Sequence, residues 1–232
     1  MNAQGWFPTL ICDFQSQTHE QFKTVFYENM KEYVHPDGID GEHADLTFHH
    51  KREFDFLFKE ITGFAKQYLG ALELDPEDWD LHLVKCWWQS LEKNHIPMHN
   101  HSDAHLSFVY YVNVPPESSM LHFQTDTNNF VNDLTKGMFI DDFEDKYPYK
   151  QNNIFNAMSV SYEAAEGKVI VFPARLDHMT TAHNDDVLEQ TTDVDVIKKR
   201  RISIAGDFLI TFKNPKHVSM GLQPVKNWRN FG

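Results

Sequence analysis

Cysteine is nearly absent from this chain: Cys12 and Cys86 are the only two in 232 residues, and neither belongs to a Cys-x-x-Cys pair. That usage excludes a disulfide scaffold, gives no thiolate set for a structural zinc site, and suits a reducing compartment. Positive charge is also scarce. With 21 Lys and Arg against 34 Asp and Glu, the net charge is −13. A surface this acidic repels phosphate backbones, which argues against nucleic acid as a partner. The one dense basic run, Lys198-Lys199-Arg200-Arg201, reads by default as a solvated face. No stretch approaches the roughly 20 apolar residues of a membrane span. Met1–Trp6 lacks a basic segment leading into an apolar one, so no signal peptide and a soluble, cytoplasmic protein are expected. The ten Gly and ten Pro do not gather into a linker. There is no repeat or low-complexity tract, and a single domain over 1–232 is expected. Apolar residues make up 41% of the chain, 19 of them Phe, enough to fill a substantial core.

Apolar periodicity divides the chain into a helical first third and a strand-rich remainder. Phe22, Val25, Phe26, Met30 and Tyr33 recur at helical spacing and predict a helix over 16–34, ended by Pro36. Phe54, Leu57, Phe58, Ile61, Phe64, Ala65, Tyr68 and Leu69 form a wide apolar stripe that predicts a second helix over 50–70. Asp75-Pro76-Glu77 reads as a helix start or a turn. Strands are predicted over 81–91, with Leu81, Leu83 and Lys85 on one face. Others follow at Leu106–Val114, Leu121–Phe123, Val169–Phe172 after a turn at Gly167, and Arg201–Phe212. Helices followed by short strands with turn signals make an α+β chain built on a double-sheet jelly roll. Residues 1–80 supply helical support, 81–212 the strand core and 213–232 a tail. Between strands, 124–160 is irregular and rich in Asn, Asp and aromatics, and it reads either as a substrate-facing flap or as a self-packed insertion.

Fourteen histidines are spread over the chain, and the cluster His95, His99, His101, His105 with Asp103 is denser than the rest. On an extended chain residues i and i+2 point the same way. His101 and Asp103 can therefore aim at one point, and so can His99 and His101. A third ligand must come from afar. His178, just beyond the strand Val169–Phe172 and a short turn, is the candidate, with His183 as its competitor. Two imidazoles and a carboxylate form one face of an octahedral site, the donor set of non-heme Fe(II) oxygenases. Donors of this hardness also suit Mn(II) or catalytic Zn.

Three ordered motifs extend the pattern. His99-Asn100-His101 leads into Leu106-Ser107-Phe108-Val109-Tyr110-Tyr111-Val112. Glu166-Gly167-Lys168-Val169-Ile170-Val171-Phe172-Pro173 leads to His178. Arg201-Ile202-Ser203-Ile204 follows. Together, over about residues 85–210, they resemble the Fe(II)/2-oxoglutarate-dependent dioxygenases of the prolyl-hydroxylase-like group, and within it oxygenases of phage and marine bacteria. The resemblance implies a double-stranded β-helix in which His101, Asp103 and His178 hold Fe(II). It implies that Arg201, aided by Tyr110 or Tyr111, binds the C5 carboxylate of 2-oxoglutarate, for which a guanidinium fork is apt. It further implies that O2 oxidises this cosubstrate to succinate and CO2 while a C–H bond of a peptide or small molecule is hydroxylated, in the host cytoplasm if the gene belongs to a phage. Two departures stand out. The His178–Arg201 gap is long, with an insert over Asp185–Lys199, which leaves Arg200 as an alternative to Arg201. The family pattern also leaves His99 as an alternative to Asp103. A jelly-roll protein with a metal site but no turnover is the competing reading, and a cupin-like zinc hydrolase is a third.

Overall fold

The computed structural model describes residues 9–34, 45–90, 96–124, 157, 159–181, 191–214 and 222–230. The central part of the expected flap, His95, His183, the start of the insert after His178 and part of the tail lie outside the described residues.

Two antiparallel sheets carry the fold. The larger has five strands in the order β1 (Cys12–Gln15), β6 (Lys168–Pro173), β3 (Leu106–Asn113), β8 (Ile202–Phe212) and β2 (Trp79–Ser90). The smaller has three, in the order β5 (Ser159–Tyr162), β4 (Leu121–Gln124) and β7 (Asp177–Thr180). Such facing sheets, with helices laid against the outside of one, make the double-stranded β-helix expected for an α+β chain of this pattern. The helices are α1 (His19–Asn29), α2 (Asp55–Ala71) and the single-turn α3 (Val194–Ile197).

Alternation of side chains across the pleat gives the large sheet two different faces. On the outer face Leu106, Phe108 and Tyr110 of β3, Ile202, Ile204 and Phe208 of β8, and Val169 and Val171 of β6 join the apolar faces of α1 and α2 in one buried cluster. Phe22 of α1 meets Tyr110 edge-on at 5.5 Å, and Phe26 meets Trp88 of β2 at 5.1 Å. Glu60 of α2 accepts from the Ser16 and Thr18 hydroxyls and the Gln17 N–H, which ties α2 to the start of α1. The inner face carries Tyr111, Ile170 and Phe172, packed on Leu121 and Phe123 of the small sheet.

The structure adds to the sequence expectation, departs from it in α2 and β2, and decides between the two readings of Asp75-Pro76-Glu77. The strands β1, β5 and β7 are too short for periodicity to reveal. The helix predicted over 50–70 starts at Asp55, preceded by two 3-10 turns at Phe48–His50 and Arg52–Phe54. Asp75-Pro76-Glu77 is a turn. In β2 a bulge falls between Leu83, paired with Phe208, and Lys85, paired with Asp207. A bulge adds one residue and re-aims those beyond it. Leu81 and Leu83 therefore face the core with Cys86 and Trp88, while Lys85 turns to the inner face instead of sharing the face of Leu83.

Glycine is needed where the sheet is thinnest. Gly206 lies opposite Phe108 in β3 and Cys86 in β2. A Cβ there would sit 2.6 Å from Phe108 Cε1 and 2.8 Å from the Lys85 carbonyl oxygen. Gly206→Ala must push these groups apart. It is expected to lower the urea midpoint by the equivalent of about 1–3 kcal/mol; a midpoint equal to wild type would contradict the close contact.

Candidate functional site

The inner face of β8 presents every second residue to a cavity of about 290 Å³: Arg201, Ser203 and Ala205, with Asp207 at the end of the row. Cross-strand partners extend the row. Ser203 lies opposite Tyr111 and Gln89, Ala205 opposite Val109 and Trp87, and Asp207 opposite Ser107 and Lys85. The small sheet closes the other side with Leu121, His178 and Thr180.

His99, His101 and His178 converge at one end of this cavity. One ligand nitrogen from each lies within 4.8 Å of the others. The backbone brings them together. His99 and His178 form an isolated antiparallel bridge, in which each N–H donates to the other's carbonyl at 3.0 and 2.9 Å. The His101 N–H donates to the Ala174 carbonyl at 2.8 Å. The chain at 99–101 thus runs as an extended edge beside β7, and the i, i+2 rule places His99 and His101 on the same side. The rings lie 4.3 Å (99–178), 5.2 Å (101–178) and 5.3 Å (99–101) apart.

Each of the three rings has an acceptor at Nδ1. The Pro97 carbonyl lies 2.8 Å from His99, the Leu176 carbonyl 2.8 Å from His178, and Asp207 Oδ1 2.6 Å from His101. Two carbonyls and a carboxylate can only accept, so these contacts assign the proton to Nδ1 and leave each Nε2 lone pair for a metal. Burial favours the neutral form of His178, whose pKa is lowered to about 4, with the neighbouring His99 and His101 adding to the effect.

Asp103 is placed elsewhere. The extended chain gives way to a turn after His101, so the alternation expected to bring Asp103 beside His101 is lost. Its side chain is 64% exposed and pairs with Lys85 Nζ at 2.8 Å. His99, weighed as the alternative, stands in the cluster in its stead. His105 lies off it, its Nδ1 accepting from the Ile210 N–H at 3.0 Å.

At another part of the cavity wall, Arg201 is buried, and no carboxylate stands within ion-pair reach of it among the described residues. Its guanidinium carbon lies 5.0 Å over the Tyr111 ring and Nη1 reaches Ser203 Oγ at 3.5 Å, while Nε has no hydrogen-bond partner among the described residues. Burial pulls the Arg201 pKa below its ordinary value, opposed by Tyr111, but an arginine stays charged. Of the two tyrosines expected near a bound acid, Tyr111 faces Arg201. Tyr110 points the other way, its hydroxyl 2.8 Å from His19 Nδ1 in the helix-covered core. Arg200 does not line the cavity; its carbonyl accepts from Asn113. Asp207 was not anticipated, although continuing the alternation Arg201, Ser203, Ala205 by one step would have found it.

Residues 85–192 match a family described as "Putative 2OG-Fe(II) oxygenase". No curated protein matches the chain. Among solved structures, the non-heme alpha-ketoglutarate-dependent carbocyclase SnoK from nogalamycin biosynthesis is 12% identical with a TM-score of 0.52, over 94% of this chain and 89% of that one. AviO1 from Streptomyces viridochromogenes is 10% identical with a TM-score of 0.51, over 87% and 90%. An oxidoreductase of the 2OG-Fe(II) oxygenase family from Burkholderia pseudomallei is 11% identical with a TM-score of 0.38, over 62% of this chain, which spans 50% of that protein's length. At these identities the likeness is one of fold.

The lowered pKa of His178 predicts how the metal-free protein responds to acid. The folded state binds this proton near pH 4 and the unfolded chain near 6.5, so unfolding takes up a proton between those values and stability falls as pH drops through the window. By pH 5 the loss from His178 amounts to about 2 kcal/mol. Denaturant unfolding of wild type and His178→Gln at pH 7 and pH 5 measures it, and an equal pH response in both would refute the assignment.

Proposed function

We infer that this chain is a hydroxylase acting on a C–H bond of a peptidyl or small-molecule substrate, with succinate and CO2 as coproducts, because residues 85–192 match the model of an enzyme family whose cofactors are Fe(II) and 2-oxoglutarate. The observation that carries this reading is the buried Arg201 guanidinium, without a carboxylate partner among the described residues, in the same cavity as three converged imidazoles. A buried cation without a counter-ion is costly. An anion entering beside the imidazoles would relieve that cost.

His99, His101 and His178 fit a divalent metal: all three have an acceptor at Nδ1, which leaves Nε2 to ligate. Bound Fe(II) with 2-oxoglutarate supplies O2 activation coupled to oxidative decarboxylation of the 2-oxo acid. The chain's own part is to place and shield. Arg201 anchors the distal carboxylate by charge-assisted hydrogen bonds, and Ser203 and Tyr111 add hydroxyls beside it. Phe172, Leu121 and Val109 line the cavity with apolar surface and limit water there. A three-imidazole set also suits catalytic zinc. Arg201 in the same cavity favours the oxygenase, because a 2-oxo diacid offers it a carboxylate distal to the metal-binding end.

Anaerobic addition of Fe(II) and 2-oxoglutarate is expected to produce a visible charge-transfer band that is absent from His178→Ala. Arg201→Met should retain metal but weaken 2-oxoglutarate binding roughly 10- to 100-fold, the loss expected for hydrogen bonds to a charged group. A wild-type protein that binds Fe(II) yet shows no band would sink the cosubstrate assignment.

A further inference from the structure

The three imidazoles are all neutral donors, so none offsets the charge of a divalent ion. An anion stands one hydrogen bond behind His101. Asp207 is wholly buried on β8, and its Oδ1 lies 2.6 Å from His101 Nδ1 and 2.6 Å from Ser107 Oγ. Its Oδ2 has no hydrogen-bond donor of good geometry, but Lys85 Nζ lies 3.2 Å from it. The same ammonium sits 2.8 Å from Asp103 Oδ2. One cation therefore stands between two carboxylates, one of which holds a metal-site histidine while the other lies two residues further along the same loop.

This contact is built by the backbone. The bulge between Leu83 and Lys85 is what turns Lys85 to the inner face opposite Asp207. Without it, Lys85 would share the face of Leu83 and enter the apolar core. Bulges commonly re-aim a side chain beside a functional site.

Resting on the three-histidine reading above, we propose that Asp207 and Lys85 are positioning residues forming a charge relay that sets metal affinity: Asp207 supplies negative charge to the metal through His101, and Lys85 holds part of that charge back. Asp207 orients the His101 ring and makes it a stronger donor, as a carboxylate behind a ligating histidine does. Lys85 neutralises the buried carboxylate while the site is empty, which lets the fold tolerate it. The same cation opposes an arriving divalent ion.

The two residues thus pull in opposite directions, which a purely structural role would not produce. Metal affinity is read directly with Co(II), from its visible bands in competition with a chelator, without substrate or turnover. Asp207→Asn keeps the shape and the acceptor for His101 but removes the charge, and should weaken Co(II) binding roughly 10- to 100-fold. Lys85→Met keeps the aliphatic stem and removes the cation. It should lower the melting temperature of the metal-free protein yet tighten Co(II) binding roughly threefold or more, with a larger metal-induced rise in melting temperature. Should Asp207→Asn fail to fold, Lys85→Met alone decides. Binding that is unchanged or weaker in Lys85→Met overturns the relay while leaving the three-histidine site standing. A wild-type protein that takes up no Co(II), or takes it up equally well as His178→Ala, overturns the site reading and the relay with it.

Discussion

The pairing register of β3 against β8 is the constraint on which both core and site depend. Tyr110 lies opposite Ile204 and Tyr111 opposite Ser203. Since the side-chain period is two, a slip of one residue would exchange faces along the whole strand. If β8 slipped, Ser203 and Asp207 would turn toward the helices, and Ile204 and Phe208 toward the cavity. Burial of the latter set under α1 and α2 is what forbids the slip. Each large side chain left exposed would forfeit about 1.5–3 kcal/mol. Close approach at Gly206, with Phe108 against it, adds a steric lock. The helical layer therefore reaches no part of the chemistry directly, yet it determines which residues meet there.

That arrangement also explains how the strand carries two buried charges. Arg201 and Asp207 stand six residues apart on one inner face, and both are almost fully buried. Isolated buried charges are expensive, and the two are answered differently. Asp207 is met by His101, Ser107 and Lys85, so its carboxyl pKa stays below the ordinary range despite burial. Arg201 has an aromatic face and one long contact to a hydroxyl. A satisfied buried ion is compatible with a structural purpose. Among the described residues no carboxylate answers Arg201, and the open cavity beside it leaves room for an anion from outside.

How far this was legible in the sequence follows from the range of the interactions involved. Long strands with apolar alternation, such as β3 and β8, announce themselves locally, and so do the amphipathic helices. His178 and Arg201 were reachable because each is tied to a distinctive strand end. The bulge at Lys85 was not reachable, because its cause is the register of β8 across the sheet and nothing local in β2 marks it. The same holds for the four-residue strands, which exist only through their partners: β7, which follows the turn expected before His178, is paired with β4 and bridged to His99.

The displacement of Asp103 shows how the two kinds of information interact. Both His99–His101 and His101–Asp103 satisfy the i, i+2 rule, and spacing alone cannot choose between them. What decides is where the extended chain ends. Hydrogen bonds from His99 to His178 and from His101 to Ala174 hold the backbone extended up to His101, and the turn beyond releases it. Asp103 is then drawn outward to Lys85, whose position was set by the bulge and by Asp207. The carboxylate that does stand beside the cluster is Asp207, on a strand more than a hundred residues away and hydrogen-bonded to His101. Local spacing offered two pairings, and the sheet, which holds His99 and not Asp103 beside His101 and His178, decides between them.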